Sequence, residues 1–498
     1  MLASILERHA AERPAERAVV TEERALGWRE LKERVDRLAG GLHARGVEPG
    51  ERVALLLPNC PAFVVGFLAA ARLGAVAVPL STDAKPREVR EAVDAAGCTT
   101  LLADDRFAAL CHDLLREGAL LRAFLRDGDA PETPSLRSVV GESPGAPGLG
   151  LPPESADALE QFTSGTTGPP KRVLRSHAQL ANEAAAFAAA TGTSAADRIL
   201  AVVPLSHAHG LGNALLASLH AGATLVLQER FDRRAVLRAL SRERITLFPT
   251  VPFIVSILAE TRMLEPIDLG ALRLCFSAGS ALRRETWCKA RERLGVDVRQ
   301  LYGSTETGAL ALNLGDASAF ESVGRPLPGV ELAVLDEAGA KLPPDAEGEV
   351  VARSAAAAEW CVGPLGKAPL AGADGWIRMG DLGSLDAQGR LALAGRKALV
   401  IHVAGRKVNP GEVESILLDH PKVRDAVVLG VRGPGAEEAV KAVVVSREAC
   451  ALDELLAHCR ERLADYKVPG IVEFRDAIPR CPAGKVLRSQ LLESTCAS

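Results

Sequence analysis

Apolar positions in the first eighty residues follow two different periods. Leu31, Val35, Leu38 and Leu42 fall on one face at helical spacing, predicting a helix over Trp28–Arg45. Gly46-Val-Glu-Pro-Gly50 reads as a turn, and Arg52–Leu57 as a short apolar strand closed by Pro58-Asn59. Ala62–Ala71 is apolar throughout, Arg72 interrupts it, and Pro79 closes the next apolar run. That run is well short of the roughly 18 residues a membrane span needs, so it predicts a buried helix followed by a buried strand. No transmembrane span is expected. Further strands are predicted at Val76–Pro79, Thr99–Ala103, Ile199–Pro204 and Thr224–Gln228. Strands alternating with helices predict an α/β fold, its mainly parallel sheets covered by helices on both faces. Residues 126–155, rich in Pro, Gly and Ser and without periodicity, read as an exposed connection. No fixed-period repeat is visible, which excludes solenoids and propellers.

The last hundred residues read as a small α/β domain of their own. Asn409 and Glu412 form an Asn-x-x-Glu start signal with Pro410 at the first helical position, opening a helix through Leu418. Strands are expected at Ala426–Val431, Val440–Val445 and Val472–Phe474, with an amphipathic helix over Leu452–Leu463. A boundary near Gly395-Arg396, just after Leu391–Ala394, divides the chain into a large N-terminal domain, 1–394, and a small mobile C-terminal domain, 395–498.

With 498 residues the chain is long enough for two or three domains and a large core. A net charge of −4, with acidic and basic residues interspersed, argues against a nucleic-acid partner or an anionic membrane surface. The N-terminus carries charges where a signal peptide needs an apolar stretch. Ten cysteines occur without a C-x-x-C pair, which speaks against a zinc module and for a reducing cytoplasm.

Chemistry enters at Ser164-Gly-Thr-Thr-Gly-Pro-Pro-Lys171, ahead of a helix-like segment from Ser176. Gly165 and Gly168 let backbone N–H groups approach an anion, Ser164, Thr166 and Thr167 add hydroxyl donors, and Lys171 supplies a positive charge. It is not the Walker pattern, since Lys171 follows Pro170 and Arg172 stands where Ser or Thr belongs. Taken alone, the run also fits a surface turn. Thr163-Ser-Gly-Thr-Thr-Gly-Pro-Pro-Lys171 resembles the signature loop of the adenylate-forming enzymes: acyl- and aryl-CoA synthetases, nonribosomal adenylation domains and luciferases. The resemblance implies that this loop holds the β- and γ-phosphates of ATP.

Other motifs of that family come after it in order. Tyr302-Gly-Ser-Thr-Glu-Thr-Gly308 is similar to its second nucleotide motif, which implies that Tyr302 stacks near adenine, Thr305 contacts the α-phosphate and Glu306 helps hold Mg²⁺. A carboxylate beside hydroxyls suits a hard cation that also bridges phosphates. Ser277-Ala-Gly-Ser-Ala-Leu282, with Gly279, resembles the segment lining the acid and adenine pockets. Gly380-Asp381 resembles the element whose Asp binds both ribose hydroxyls, and Gly395-Arg396 the motif whose Arg also contacts the nucleotide. Pro479-Arg-Cys-Pro-Ala-Gly-Lys485 resembles the loop delivering the adenylation lysine. Charge builds on the phosphoryl oxygens as the carboxylate attacks, and the Lys485 ammonium would stabilise it. His207, in Pro204-Leu-Ser-His-Ala-His-Gly210, matches a position where the family often has an aromatic residue or His, and the resemblance implies that it stands at the wall between the ATP and acid sites. The pair His207-x-His209 lacks a third ligand nearby in sequence, so it reads as pocket-lining or core rather than metal-binding.

The resemblance covers nearly the whole chain and implies an acid–thiol ligase using ATP, Mg²⁺ and coenzyme A on a small aryl or medium-chain acid. In the family the small domain rotates between the two half-reactions. Three departures stand out: Arg172 replaces the usual Gly, Ala398 takes the hinge position usually Asp or Lys, and residues 354–372 lack the usual aromatic-containing run. They keep open two further readings. One is loading of a carrier-protein phosphopantetheine, including CoA-to-carrier transfer by a degenerate member. The other is a non-catalytic nucleotide- or acyl-binding protein, against which the retained Lys171, Glu306, Asp381, Arg396 and Lys485 count.

Overall fold

The computed structural model describes residues 1–128, 133–146, 148–163, 171–263, 266–315, 320–363, 366–403, 406–432, 438–480 and 486–492. They divide into two compact units. One comprises Met1–Phe320, Arg325–Val330 and Arg353–Gly372, the other Glu321–Gly324, Glu331–Ala352 and Ala373–Ser498.

The first unit is built on two sheets, each with a parallel centre as the alternation predicts. In one, Thr224–Leu227, Arg198–Ala201, Leu247–Thr250, Leu274–Ser277 and Val298–Ser304 lie side by side and parallel, in that order. In the other, Arg122–Leu125, Cys98–Ala103, Arg52–Leu56, Val76–Pro79 and Asp157–Phe162 run parallel. Arg172–Ser176 then turns back antiparallel on Asp157–Phe162. Trp360–Gly363 and Gly366–Pro369 extend this second sheet beyond Arg172–Ser176 as an antiparallel pair.

The apolar run read as a buried helix is one, Pro61–Leu73, with Phe63, Phe67 and Ala69–Ala71 fully enclosed. A helix apolar on all sides needs neighbours on all sides. No helix among the described residues is long and apolar enough to cross a membrane. The helix Trp28–Ala44 packs beside it, burying Leu31, Val35, Leu38 and Leu42 as the periodicity predicts.

The structure corrects one expectation. Residues 126–155 are not wholly an exposed connection, because Leu136–Glu142 forms a helix with Leu136 and Val139 buried. Ser135 caps it, its Oγ accepting from the Ser138 N–H at 3.0 Å. Two turns are too short for a periodicity to register, and the receiving surface lies far off in the chain. Gly40 and Gly41 make that surface: a Cβ on either would collide with Gly145 or Val139. Smaller differences concern ends: the helix expected over Leu452–Leu463 closes at Arg460, and the strand from Arg198 at Ala201.

His177, at the start of helix His177–Thr191, is wholly buried, and among the described residues neither ring nitrogen is hydrogen-bonded. Burial pushes its pKa down to about 4, so the folded protein holds it neutral. The unfolded chain takes up this proton first as pH falls. The stabilisation is therefore complete above pH 6.5 and lost progressively towards pH 4, at about 3 kcal/mol in total. Urea unfolding at pH 7.5 and pH 5 should show His177→Leu losing about 2 kcal/mol less than the parent between the two conditions. Equal losses would show that this imidazole is not held neutral.

The second unit contains the antiparallel strands Gly348–Ser354, Ile377–Leu385 and Leu391–Arg396, the first contributing its residues up to Ala352. It also contains a three-stranded sheet, Val423–Arg432, Glu438–Ser446 and Ile471–Phe474. Helix Pro410–Leu418 starts at the expected place, with Asn409 Oδ1 accepting from the Gly411 N–H at 3.0 Å, while the Glu412 carboxylate takes Lys467 Nζ at 2.7 Å rather than the helix start. Asn409 Nδ2 donates to the Ala394 carbonyl, clasping the exit of strand Leu391–Arg396 to this helix.

Candidate active site

Ligands of open parallel sheets gather beyond the carboxyl ends of the strands. In the first unit, the residues selected by motif lie at or past those ends. Asp157–Phe162 leads to Thr163, Arg198–Ala201 to His207, Leu274–Ser277 to Gly279, and Val298–Ser304 carries Tyr302.

Thr163 and Lys171 meet at the two ends of the segment 164–170. The Thr163 N–H donates to the Lys171 carbonyl at 2.8 Å, and the Lys171 N–H to Thr163 Oγ1 at 3.3 Å. Ser164, Gly165, Thr166, Thr167 and Gly168 lie outside the described residues, as does Lys485. Behind the loop, Gln161 Nε2 donates to the Ser206 carbonyl, tying the entry strand to the residue before His207.

Arg172 is turned away from any phosphate role. Its Nη1 lies 2.6 Å from Oε1 of the fully buried Glu160, whose Oε2 lies 3.2 Å from Arg52 Nε. Two guanidinium groups thus neutralise one buried carboxylate, and the departure from Gly serves the sheet.

Tyr302, Thr305 and Glu306 share one hairpin. Val298–Ser304 pairs antiparallel with Gly308–Leu312, leaving Thr305–Thr307 at the tip. Ser304 Oγ and Thr307 Oγ1 hydrogen-bond across the tip at 3.1 Å, and the Ala358 N–H donates to the Glu306 carbonyl at 2.8 Å. The Glu306 side chain is half-buried and makes no ion pair with a described residue. Among the described residues no three His, Cys, Asp or Glu gather as a metal cage. A lone carboxylate at a hairpin tip suits Mg²⁺, which keeps waters and takes its remaining oxygens from phosphates.

Gly279 is exposed at φ +86°, with no atom of a described residue within 4 Å of where a Cβ would stand. Only glycine takes that backbone conformation without strain, and here it also leaves the space open.

His207 is half-buried, its Nε2 unbonded among the described residues and its pKa lowered by burial. His209, two residues on, is the more constrained ring. Its Nε2 donates to the Thr250 carbonyl at 2.9 Å and its Nδ1 accepts from Asn213 Nδ2 at 2.9 Å. Burial lowers its pKa to about 4, so a neutral ring with the proton on Nε2 satisfies both bonds. No metal role is open to a nitrogen pair so engaged. Asn213, four residues after His209, holds this ring in one orientation.

In the second unit, Asp381 and Arg396 face one another across neighbouring strands, with Arg396 Nε 2.7 Å from Asp381 Oδ1. Arg396 Nη1 also donates to the Met379 carbonyl at 3.3 Å. Gly380, at φ +69°, sits inside strand Ile377–Leu385 where its pairing with Gly348–Ser354 shifts register, just before Asp381. The carboxylate and guanidinium read separately from sequence thus form one bonded unit.

Residues 6–359 match the model of the AMP-binding enzymes, and residues 412–485 that of the AMP-binding enzyme C-terminal domain. The chain belongs to the AMP-binding enzyme family. It is 34% identical over 501 residues to an indoleacetate–CoA ligase of Aromatoleum aromaticum, covering 98% of this chain and 97% of that one. It is 34% identical over 472 residues to a feruloyl-CoA synthase of Amycolatopsis, covering 94% and 93%. Its fold superposes on ATP-bound MatB from Rhodopseudomonas palustris with a TM-score of 0.91 at 27% identity, over 100% and 99% of the two chains. The protein is an AMP-forming acid–thiol ligase, and its family uses ATP and coenzyme A.

Proposed function

We propose that the protein joins an aromatic carboxylic acid to coenzyme A in two steps. The carboxylate attacks the α-phosphorus of ATP, forming acyl-AMP and releasing pyrophosphate. The thiol then attacks the acyl carbon and AMP leaves. In this reading Thr163, Lys171 and the loop between them hold the β- and γ-phosphates, and Tyr302 stacks on adenine. Thr305 contacts the α-phosphate, Glu306 holds Mg²⁺, Asp381 takes the ribose diol and Arg396 holds that carboxylate in place. Lys485 stabilises the charge that builds during the first step. When bound, Mg²⁺ neutralises phosphate charge.

The observation that carries the aromatic reading is the bare edge at Gly279. It comes directly after the buried Ser277 and Ala278 on the strand next to the one carrying Tyr302, and leaves room for a flat ring. The relatives that act on indoleacetate and ferulate support it. The eight described cysteines are free thiols, which suits the reducing cytoplasm.

Acid-dependent ATP–pyrophosphate exchange tests the reading, screened over benzoate-like, cinnamate-like and indole acids against medium-chain fatty acids. Exchange should be fastest with an aryl acid, and thioester should form with coenzyme A in preference to a carrier protein. Exchange confined to fatty acids would overturn the aromatic assignment. Thioester only on a carrier protein would overturn the acceptor.

A further inference from the structure

Behind the hairpin that carries Thr305 and Glu306 lies an ion pair that contacts no reacting group. Arg175 stands on the strand returning from the phosphate loop, and Glu183 on helix His177–Thr191. Their side chains are each 2% exposed, with Arg175 Nη1 2.7 Å from Glu183 Oε2. Two charges withdrawn from water are costly to keep, so their remaining bonds indicate what they hold.

Glu183 holds the far side of the hairpin. Its Oε1 accepts from the Ala309 N–H at 3.2 Å, beside a register shift that interrupts the ladder between Val298–Ser304 and Gly308–Leu312. The carboxylate also occupies the space left by two glycines. A Cβ on Gly308 would stand 2.6 Å from Glu183 Cδ, and one on Gly212 would collide with Oε1. Arg175 holds the near side. Its Nη2 donates to the Ala356 carbonyl at 2.9 Å, and two residues later the Ala358 N–H holds the Glu306 carbonyl. One pair therefore anchors both the strand leaving the tip and the segment that pins Glu306 itself.

We infer that Arg175 and Glu183 are positioning residues for adenylation, setting where Thr305 and Glu306 stand relative to the nucleotide. The inference rests on the proposed function of that hairpin and deepens it. Removing one partner would strand the other charge in the core, whereas replacing both with apolar groups of similar volume often leaves stability intact. The informative variant is therefore Arg175→Met with Glu183→Leu, compared with Arg175→Met with Glu183→Gln, which keeps an acceptor for Ala309.

Thermal unfolding should show the Met/Leu pair folded. Its kcat for ATP–pyrophosphate exchange should fall between about 10- and 100-fold, as displaced catalytic groups do. Mg·ATP should bind more weakly by calorimetry, and KM for the acid should stay within about twofold. The Met/Gln pair should recover part of the loss. A folded Met/Leu variant with kcat and Mg·ATP affinity both within about twofold of the parent would overturn the inference, as would an equal loss in acid KM. Should that variant fail to fold, Glu183→Asp decides, since it keeps the charge but withdraws it from Gly308. It should lower kcat in the same way, and an unchanged kcat would overturn the inference. A parent that binds Mg·ATP yet exchanges with no acid would refute the proposed reaction instead. The Mg·ATP affinities of the variants would then decide the positioning role alone.

Discussion

Lys485→Ala should lose acid-dependent ATP–pyrophosphate exchange by about 10²- to 10³-fold, the usual cost of deleting one donor aimed at developing oxyanion charge. The same variant, given ready-made acyl-AMP and coenzyme A, should form thioester near the parent rate. In the second step the thiol attacks the acyl carbon and no bond forms at phosphorus. AMP departs with the electron pair of the broken C–O bond, so the pentacoordinate phosphoryl charge of the first step does not arise. The comparison separates a catalytic role in one step from a general loss of fold, which would slow both. Exchange persisting in the variant would remove Lys485 from the mechanism. Equal loss in both steps would make it a structural residue.

Glu306→Gln is the second large effect. Gln keeps the size of the side chain, and the bond that fixes the tip runs from the Ala358 N–H to the main-chain carbonyl of residue 306, so the hairpin should persist. The negative charge offered to a hard cation is lost. The Mg²⁺ concentration giving half-maximal exchange should rise by at least about 10- to 100-fold. The exchange rate at saturating Mg²⁺ should also fall. An unaltered Mg²⁺ dependence would place the metal ligand elsewhere.

What the sequence disclosed was local. The Asn409 cap is set by residues within a few positions of one another, and so is the reciprocal cap in which Ser176 and Gln179 satisfy each other's backbone N–H at the start of helix His177–Thr191. The alternation of strand and helix along residues 28–80 records burial on both faces of a sheet, and each element stands where that pattern placed it. The motif residues were legible as types, because each ligand group proposed for them, a diol, a phosphate or a divalent cation, suits a particular kind of side chain. Their supports were not. Glu183 looks like a solvated charge in an alanine-rich helix, and the donor it satisfies is 126 residues away. The Ala-rich run that departs from the family pattern has a similar explanation. Ala356–Ala358 are buried and small, so Arg175 and Asn182 reach the carbonyls of Ala356 and Ala355. No short-range pattern announces a residue chosen for the contact it allows a distant partner.

The strands Trp360–Gly363 and Gly366–Pro369 bear on solubility. Val362, Cys361 and Trp360 pair with Arg172, Val173 and Leu174, covering the open side of strand Arg172–Ser176. Left bare, that side would offer unpaired amides to another molecule's strand, the usual start of edge-to-edge aggregation. The outer boundary passes instead to Gly366–Pro369, four exposed residues that include a lysine and end in a proline without an N–H to donate. The sheet that shapes the loop thus ends on a strand ill-suited to recruit another chain.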